Sequence, residues 1–222
     1  MKKHSVVTVA CLATAVLVVG CEPPADTTPT TDTSPQAIAD SGISADELGL
    51  RLAMRDLWAD HVWLTRDYIN SASSGLSDKD VVAERLLKNQ DDIGNAVKPY
   101  FGEEAGAKLT ELLREHIMIA TEVVGAAKSG DDAAQTAANT QWSENGNAIA
   151  DFLSTANPES WPQDEMRSMM QEHLRLTTDE AVARLKGDWQ ANMEAFDKAL
   201  DQAMTMADML SDGVVMKFPD KF

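Results

Sequence analysis

The sequence predicts an all-α protein, an antiparallel up-and-down bundle of five or six helices. Apolar residues recur at helical spacing from Ser44 onward, and no segment alternates apolar and polar residues as a strand would. Short loops join long helical stretches, which makes consecutive helices antiparallel neighbours. Because 44% of the residues are hydrophobic, the chain has enough apolar surface for a core. We expect the bundle domain to span residues 46–222.

Six stretches carry the helical pattern, and capping or turn residues bound them. The first begins at a capping box, Ser44 to Glu47, and ends before Gly75. Gly187 either kinks one long helix or separates two, which leaves the count at five or six. No proline falls inside any stretch, and the predicted helices are about 44–73, 78–98, 103–128, 131–155, 163–186 and 188–211.

The odd-numbered stretches contain a repeat. Segments that begin at Asp60, Glu115 and Glu172 share the order acid, His, aliphatic, any, aliphatic, Thr or Ala, any, acid. Their histidines are 55 and 57 residues apart, about the length of one helical hairpin. The even-numbered stretches also resemble one another, so the bundle is predicted to contain three repeated helical hairpins.

The histidines of this repeat, His61, His116 and His173, each lie on the apolar stripe of a predicted helix. Since alternate helices of an up-and-down bundle run in the same direction, we expect the three side chains to be buried and to share one layer. The even-numbered helices carry amides on their apolar stripes, and these are predicted to form a core polar network: Gln90, Asn145 and Asn192.

Three interpretations of the histidines stay open. In the first, the three imidazoles bind copper, zinc or iron, and carboxylates complete the shell, from among Asp91, Glu115, Glu172 and Asp188. In the second they are structural, each satisfied by a polar side chain of a facing helix. In the third they line a small-ligand cavity with Trp and Met. The structural interpretation is preferred, because the sequence has no Glu-x-x-His, His-x-x-x-His or His-Glu-x-x-His spacing.

A second metal hypothesis concerns methionine. Met166, Met169 and Met170 share a helical face with His173, and thioether plus imidazole is a soft ligand set suited to Cu(I). Methionine at helical spacing is more often core filler. A metal ion is therefore the one cofactor that the sequence leaves open.

No sequence motif indicates an enzyme. The chain has no Gly-x-Ser-x-Gly, no phosphate-binding loop and no Gly-x-Gly-x-x-Gly. The net charge of −17 argues against nucleic acid as a partner, because binding a polyanion needs a basic face. We therefore expect a structural or interaction role, and the sequence identifies neither a protein partner nor a small ligand.

The N-terminus resembles that of a bacterial lipoprotein. Lys2 and Lys3 precede an apolar run of signal-peptide length, and Val18-Val19-Gly20-Cys21 resembles a lipobox. The resemblance implies that residues 1–20 are a signal peptide and that Cys21 carries a diacylglyceryl thioether and an acyl chain such as palmitate. Acyl chains on one residue anchor a protein stably, so the membrane is an expected partner through this lipid.

Residues 21–45 follow as a tether that begins at the lipidated cysteine. It is rich in Pro, Thr and Asp and has few large apolar residues, so it cannot bury enough surface to fold. The resemblance to lipoproteins also implies a location in the cell envelope. If the cell is Gram-negative, Glu22 after the cysteine, in place of Asp, favours the outer membrane, facing the periplasm or the exterior.

The bundle itself resembles a family of small bacterial helical proteins without a characterised activity. The resemblance rests on the block Leu86–Ala96 and on the ending Phe218–Phe222. It extends over about residues 50–222 and implies a single helical domain, but it implies no activity.

Overall fold

A computed structural model describes residues 42–222, so the lipobox, Cys21 and almost all of the tether lie outside the described residues. Within that range there are six α-helices and no strand, and a short 3-10 turn closes the chain at Pro219–Lys221. The predicted all-α bundle is confirmed. The helices are α1 Ala45–Ser74, α2 Lys79–Phe101, α3 Glu103–Ser129, α4 Asp132–Ala156, α5 Gln163–Lys186 and α6 Trp189–Lys217.

The helices form a closed ring. Each packs against the next along the chain, and α6 returns to pack against α1. The odd-numbered helices α1, α3 and α5 also contact one another across the middle of the ring. The arrangement is thus three helical hairpins around a common axis, with one helix of each hairpin on the inside.

Glycines end the three inner helices. Gly75, Gly130 and Gly187 follow α1, α3 and α5 with φ of 67°, 70° and 73°, the left-handed region that glycine adopts without a steric penalty. Because Gly187 turns the chain, α5 and α6 are separate helices, and residues 42–222 contain six helices.

Two helices extend beyond their predicted ends. α2 contains Pro99 and ends at Phe101, so the expectation of proline-free helices is wrong there. In the last turn a proline removes only one intrahelical hydrogen bond, which a packed helix can lose. α6 continues past Ser211 to Lys217 because Gly213 makes room for an indole ring. A Cβ at Gly213 would lie 2.1 Å from Nε1 of Trp161.

The main apolar core adjoins the central histidines. Met54, Trp58, Ile149, Met170 and Met206 belong to it, and each is almost fully buried. Among residues 42–222, none of the helices combines the length and apolar character needed to cross a membrane.

Candidate functional site

A layer of three histidines lies where the inner helices meet. We call His61 of α1, His116 of α3 and His173 of α5 the histidine layer. Their exposed fractions are 3%, 3% and 4%. The ring centroid of His173 lies 5.6 Å from that of His61 and 6.2 Å from that of His116. The prediction that the three side chains are buried and share one layer is confirmed.

Each ring is held by an amide on the second helix of its own hairpin, 29 residues further along the chain in all three cases. Nδ1 of His61 lies 3.2 Å from Nε2 of Gln90. Nδ1 of His116 lies 2.9 Å from Oδ1 of Asn145, and Nδ1 of His173 lies 3.3 Å from Oε1 of Gln202. The three hairpins therefore repeat one histidine–amide contact.

Amides of the outer helices also bond to the backbone of the inner helices, one turn before each histidine. This second contact fixes the register of the two helices in every hairpin, because it ties a side chain to a specified carbonyl. The bonds run from Asn89 Nδ2 to Leu57 O at 3.0 Å, from Asn145 Nδ2 to Leu112 O at 3.1 Å and from Gln202 Nε2 to Met169 O at 3.2 Å.

Of the three amides in the predicted polar network, Gln90 and Asn145 contact histidines and Asn192 does not. Asn192 is buried, but its Nδ2 donates to the backbone oxygen of Glu180 at 2.9 Å. Gln202 holds His173 instead. Asn192 lies ten residues before Gln202, and the 29-residue spacing of the first two histidine–amide pairs, applied to His173, leads to Gln202.

The hydrogen bonds assign different tautomers to the rings. Nδ1–H of His116 donates to Asn145, and its Nε2 accepts from the indole Nε1–H of Trp142 at 3.2 Å. His173 likewise donates through Nδ1 to Gln202. His61 differs, because its Nδ1 faces the amide nitrogen of Gln90, which also donates to Leu86 O and to Asn89 Oδ1, and a ring nitrogen that faces an N–H group can only accept. Its hydrogen therefore lies on Nε2.

All three rings are neutral at neutral pH. Burial lowers the pKa of each, and for His61 and His116 the neighbouring imidazoles lower it further. The pKa of His116 falls to about 3. The side-chain oxygens of Asn145 and Gln202, which accept from Nδ1–H of His116 and His173, oppose this shift without overcoming it. Uncharged rings can pack a few ångströms apart, which charged rings could not do without a large repulsion.

A small cavity adjoins the layer. It has a volume of about 30 Å³, room for one or two water molecules but not for a drug-sized ligand. In residues 42–222, Nε2 of His61 and Nε2 of His173 have no hydrogen-bond partner, and they are complementary, one a donor and the other an acceptor. The lining includes the three histidines together with Thr65, Tyr68, Trp142 and Thr177.

Within residues 42–222, none of the carboxylates considered as metal ligands bonds to a ring of the histidine layer. Within the described range, no three His, Cys, Asp or Glu side chains are arranged to hold a metal ion. Each of the four carboxylates has another partner: Asp91 pairs with Arg114, Glu172 pairs with Arg175, Glu115 accepts from Asn145, and Asp188 is the N-cap of α6.

The methionine face is part of the apolar core. Met166 and Met170 are 1% and 4% exposed and pack in the main core cluster, while Met169 is partly buried against it. None of the three lines the cavity beside the histidines. Met170 instead borders a separate apolar cavity of about 20 Å³ together with Met54 and Met206. These contacts are those of core-filling side chains.

Fold and site together define a class: an all-α bundle of three helical hairpins with a neutral, amide-supported histidine layer on its axis. No protein-family model, curated protein or solved structure matches the chain.

Proposed function

We propose that the chain is a lipid-anchored protein of the bacterial cell envelope whose bundle has a structural or interaction role rather than a catalytic one. The observation that supports the non-catalytic role is the bonding of the histidine layer. Amides of the same bundle bond to Nδ1 of every ring, and the indole of Trp142 donates to Nε2 of His116. A general base must reach the proton of a substrate, and these rings are buried.

The anchor rests on the lipobox at Cys21 and on the tether that follows it. Cells that express the full chain should incorporate an alkyne-labelled fatty acid into it, and the product should partition into detergent. Cys21→Ala should abolish both signals, whereas Cys11→Ala, a matched change inside the signal segment, should leave both intact. Labelling that survives Cys21→Ala would contradict the anchor.

A metal-binding role is the second candidate. One observation favours it: Nδ1–H of His173 donates to Gln202, as a ligand histidine donates to its supporting group in metal sites, and Nε2 of His173 is unengaged within residues 42–222. Elemental analysis of the chain purified from membranes, followed by titration with Cu(I), Cu(II), Zn(II) and Fe(II), tests it. One tightly bound equivalent that is lost in His173→Asn, with the fold intact, would establish this role over the structural one.

A further inference from the structure

An apolar strip lies exposed where α1 packs against α6. Trp63 on α1 and Met193 on α6 are 50% and 44% exposed. Contacts across the two helices hold them in place: the Trp63 ring lies 4.6 Å from that of Phe196, and Nη2 of Arg66 lies 2.9 Å from Sδ of Met193. The guanidinium of Arg66 also covers the Phe196 ring, 4.5 Å from its centroid. We call this surface the α1–α6 seam.

Acidic side chains flank the seam. Asp56 and Asp67 lie two turns before and one turn after Trp63, and Asp197 lies one turn after Met193, so each shares the face of an apolar residue. Glu194 adjoins Met193, and all four carboxylates are exposed. No ion pair within residues 42–222 neutralises any of them.

The arginines of the seam do not offset this charge. Arg55 pairs with Asp208 at 2.6 Å, and Arg66 pairs with the buried Glu180 at 3.0 Å. The surplus charge along the seam is therefore negative, like that of the whole chain at −17. A second copy of the chain or an acidic partner would be repelled there.

We propose that the α1–α6 seam docks a basic amphipathic helix of a partner protein. The apolar face of that helix would cover Trp63 and Met193, and its Lys and Arg side chains would meet Asp56, Asp67, Glu194 and Asp197. Exposed Trp and Met side chains held by their neighbours are suited to a helix-in-groove contact, and complementary charges supply orientation. This inference rests on the interaction role proposed above and is independent of the lipid anchor.

The test uses the full chain in detergent micelles and a synthetic helical peptide of about 18 residues with Leu on one face and Lys on the other. Calorimetry should give a dissociation constant on the order of micromolar. Joint replacement Trp63→Ala and Met193→Ala should weaken binding by about tenfold or more, as loss of central interface residues does. Met118→Ala, which removes an equally exposed methionine from α3, is the matched control and should have no effect.

Charge is tested in the same way. Asp67→Asn with Asp197→Asn should weaken binding, whereas Asp131→Asn with Asp132→Asn, at the start of α4, should not. Circular dichroism and thermal unfolding verify that each variant is folded. If the seam and control variants bind the peptide alike, or if a peptide with Glu in place of Lys binds as well, the seam is not the docking site. Fatty-acid labelling at Cys21 is unaffected by either outcome, so failure here is distinguishable from failure of the anchor.

Discussion

His116 is the member of the histidine layer whose two ring nitrogens both form hydrogen bonds, one with Asn145 and one with Trp142. Truncation at this position leaves the Trp142 indole N–H and the Asn145 side-chain oxygen without partners inside the bundle. Each unsatisfied buried group costs about 1–3 kcal/mol, and the space left by the ring adds a cavity term. We therefore expect His116→Ala to lower the free energy of unfolding by about 3–5 kcal/mol, measured by urea unfolding. A loss below about 0.5 kcal/mol would mean that the ring is not held as described.

Acid should destabilise the fold through the histidine layer. An unfolded histidine has a pKa near about 6.5, whereas burial holds the pKa of His61, His116 and His173 below that value in the bundle. Above about pH 6.5 both states are neutral, and below it only the unfolded chain binds protons. Each histidine should then remove up to about 1.4 kcal/mol of stability per pH unit. Urea unfolding from about pH 7.5 to about pH 5 measures the slope, and His173→Asn should reduce it.

Glu180 should stabilise the fold in acid, which is the opposite of the effect of the histidines. Burial raises its pKa to about 7, although Nη1 of Arg66 lies 3.0 Å away and lowers it. The pKa of Glu180 is higher in the folded state than its unfolded value of about 4.5. Its contribution to the stability of the fold is therefore complete below about pH 4.5 and is lost as the pH rises through about 7. Protonation of Glu180 thus partly offsets the loss caused by the histidines between about pH 7 and about pH 5. Glu180→Gln should make the acid-dependent loss of stability steeper, and an unchanged slope would contradict this assignment.

At the residue scale, helical periodicity in the sequence predicted which side chains face the interior. The apolar stripes placed His61, His116 and His173 in the interior, and they placed Gln90 and Asn145 opposite the first two. The tautomers, the charge state of Glu180 and the exposure of Trp63 were not predicted, because they depend on groups from other helices. Half of the Trp63 side chain is exposed on the α1–α6 seam.

At the scale of helices, a close crossing joins α2 to α3. A Cβ at Gly94 would lie 1.9 Å from Oγ1 of Thr110 and 2.8 Å from the backbone oxygen of Gly106. The backbone cannot move away without separating the two helices. This close contact explains why Gly94 and Gly106 occur inside helices, where a glycine usually costs stability.

Two glycine substitutions should therefore have opposite effects. Gly94→Ala should lower the free energy of unfolding by more than about 2 kcal/mol, since it overpacks the crossing. Gly125→Ala, on the exposed side of α3 with no atom near its added Cβ, should raise it by about 0.5–1 kcal/mol through helix propensity. Thermal or urea unfolding of both variants gives the comparison. Equal effects of the two substitutions would show that α2 and α3 do not approach as closely as described.

The start of α1 and the ends of the inner helices could be predicted, because caps and left-handed glycines are local signals. Ser44 accepts from the backbone N–H of Glu47 as the capping box requires, and Gly75, Gly130 and Gly187 end their helices. The end of α6 could not be predicted, since Gly213 is inside the helix only because Trp161 packs on it. A glycine that makes room for a neighbour and one that ends a helix look alike in sequence.

At the scale of the molecule, three hairpins place one histidine each beside a common axis. Repetition and antiparallel packing followed from the sequence, but the closure of α6 on α1 is a tertiary contact with no local signal. The closed ring is what brings residues more than a hundred positions apart, such as His61 and His173, within 5.6 Å. The same closure creates the α1–α6 seam, so core and surface depend on one topological feature.

The proposed function requires a histidine layer that is neutral, internally bonded and structural. Nitrogen-15 NMR of the imidazoles in the full chain tests these three properties together, with assignments from single His→Asn variants. We expect neutral rings from about pH 7 down to about pH 5, with the hydrogen on Nδ1 in His116 and His173 and on Nε2 in His61, and no shift on addition of Zn(II) or Cu(I). An imidazolium signal from any of the three above about pH 6, or a metal-induced shift of their nitrogens, would contradict it.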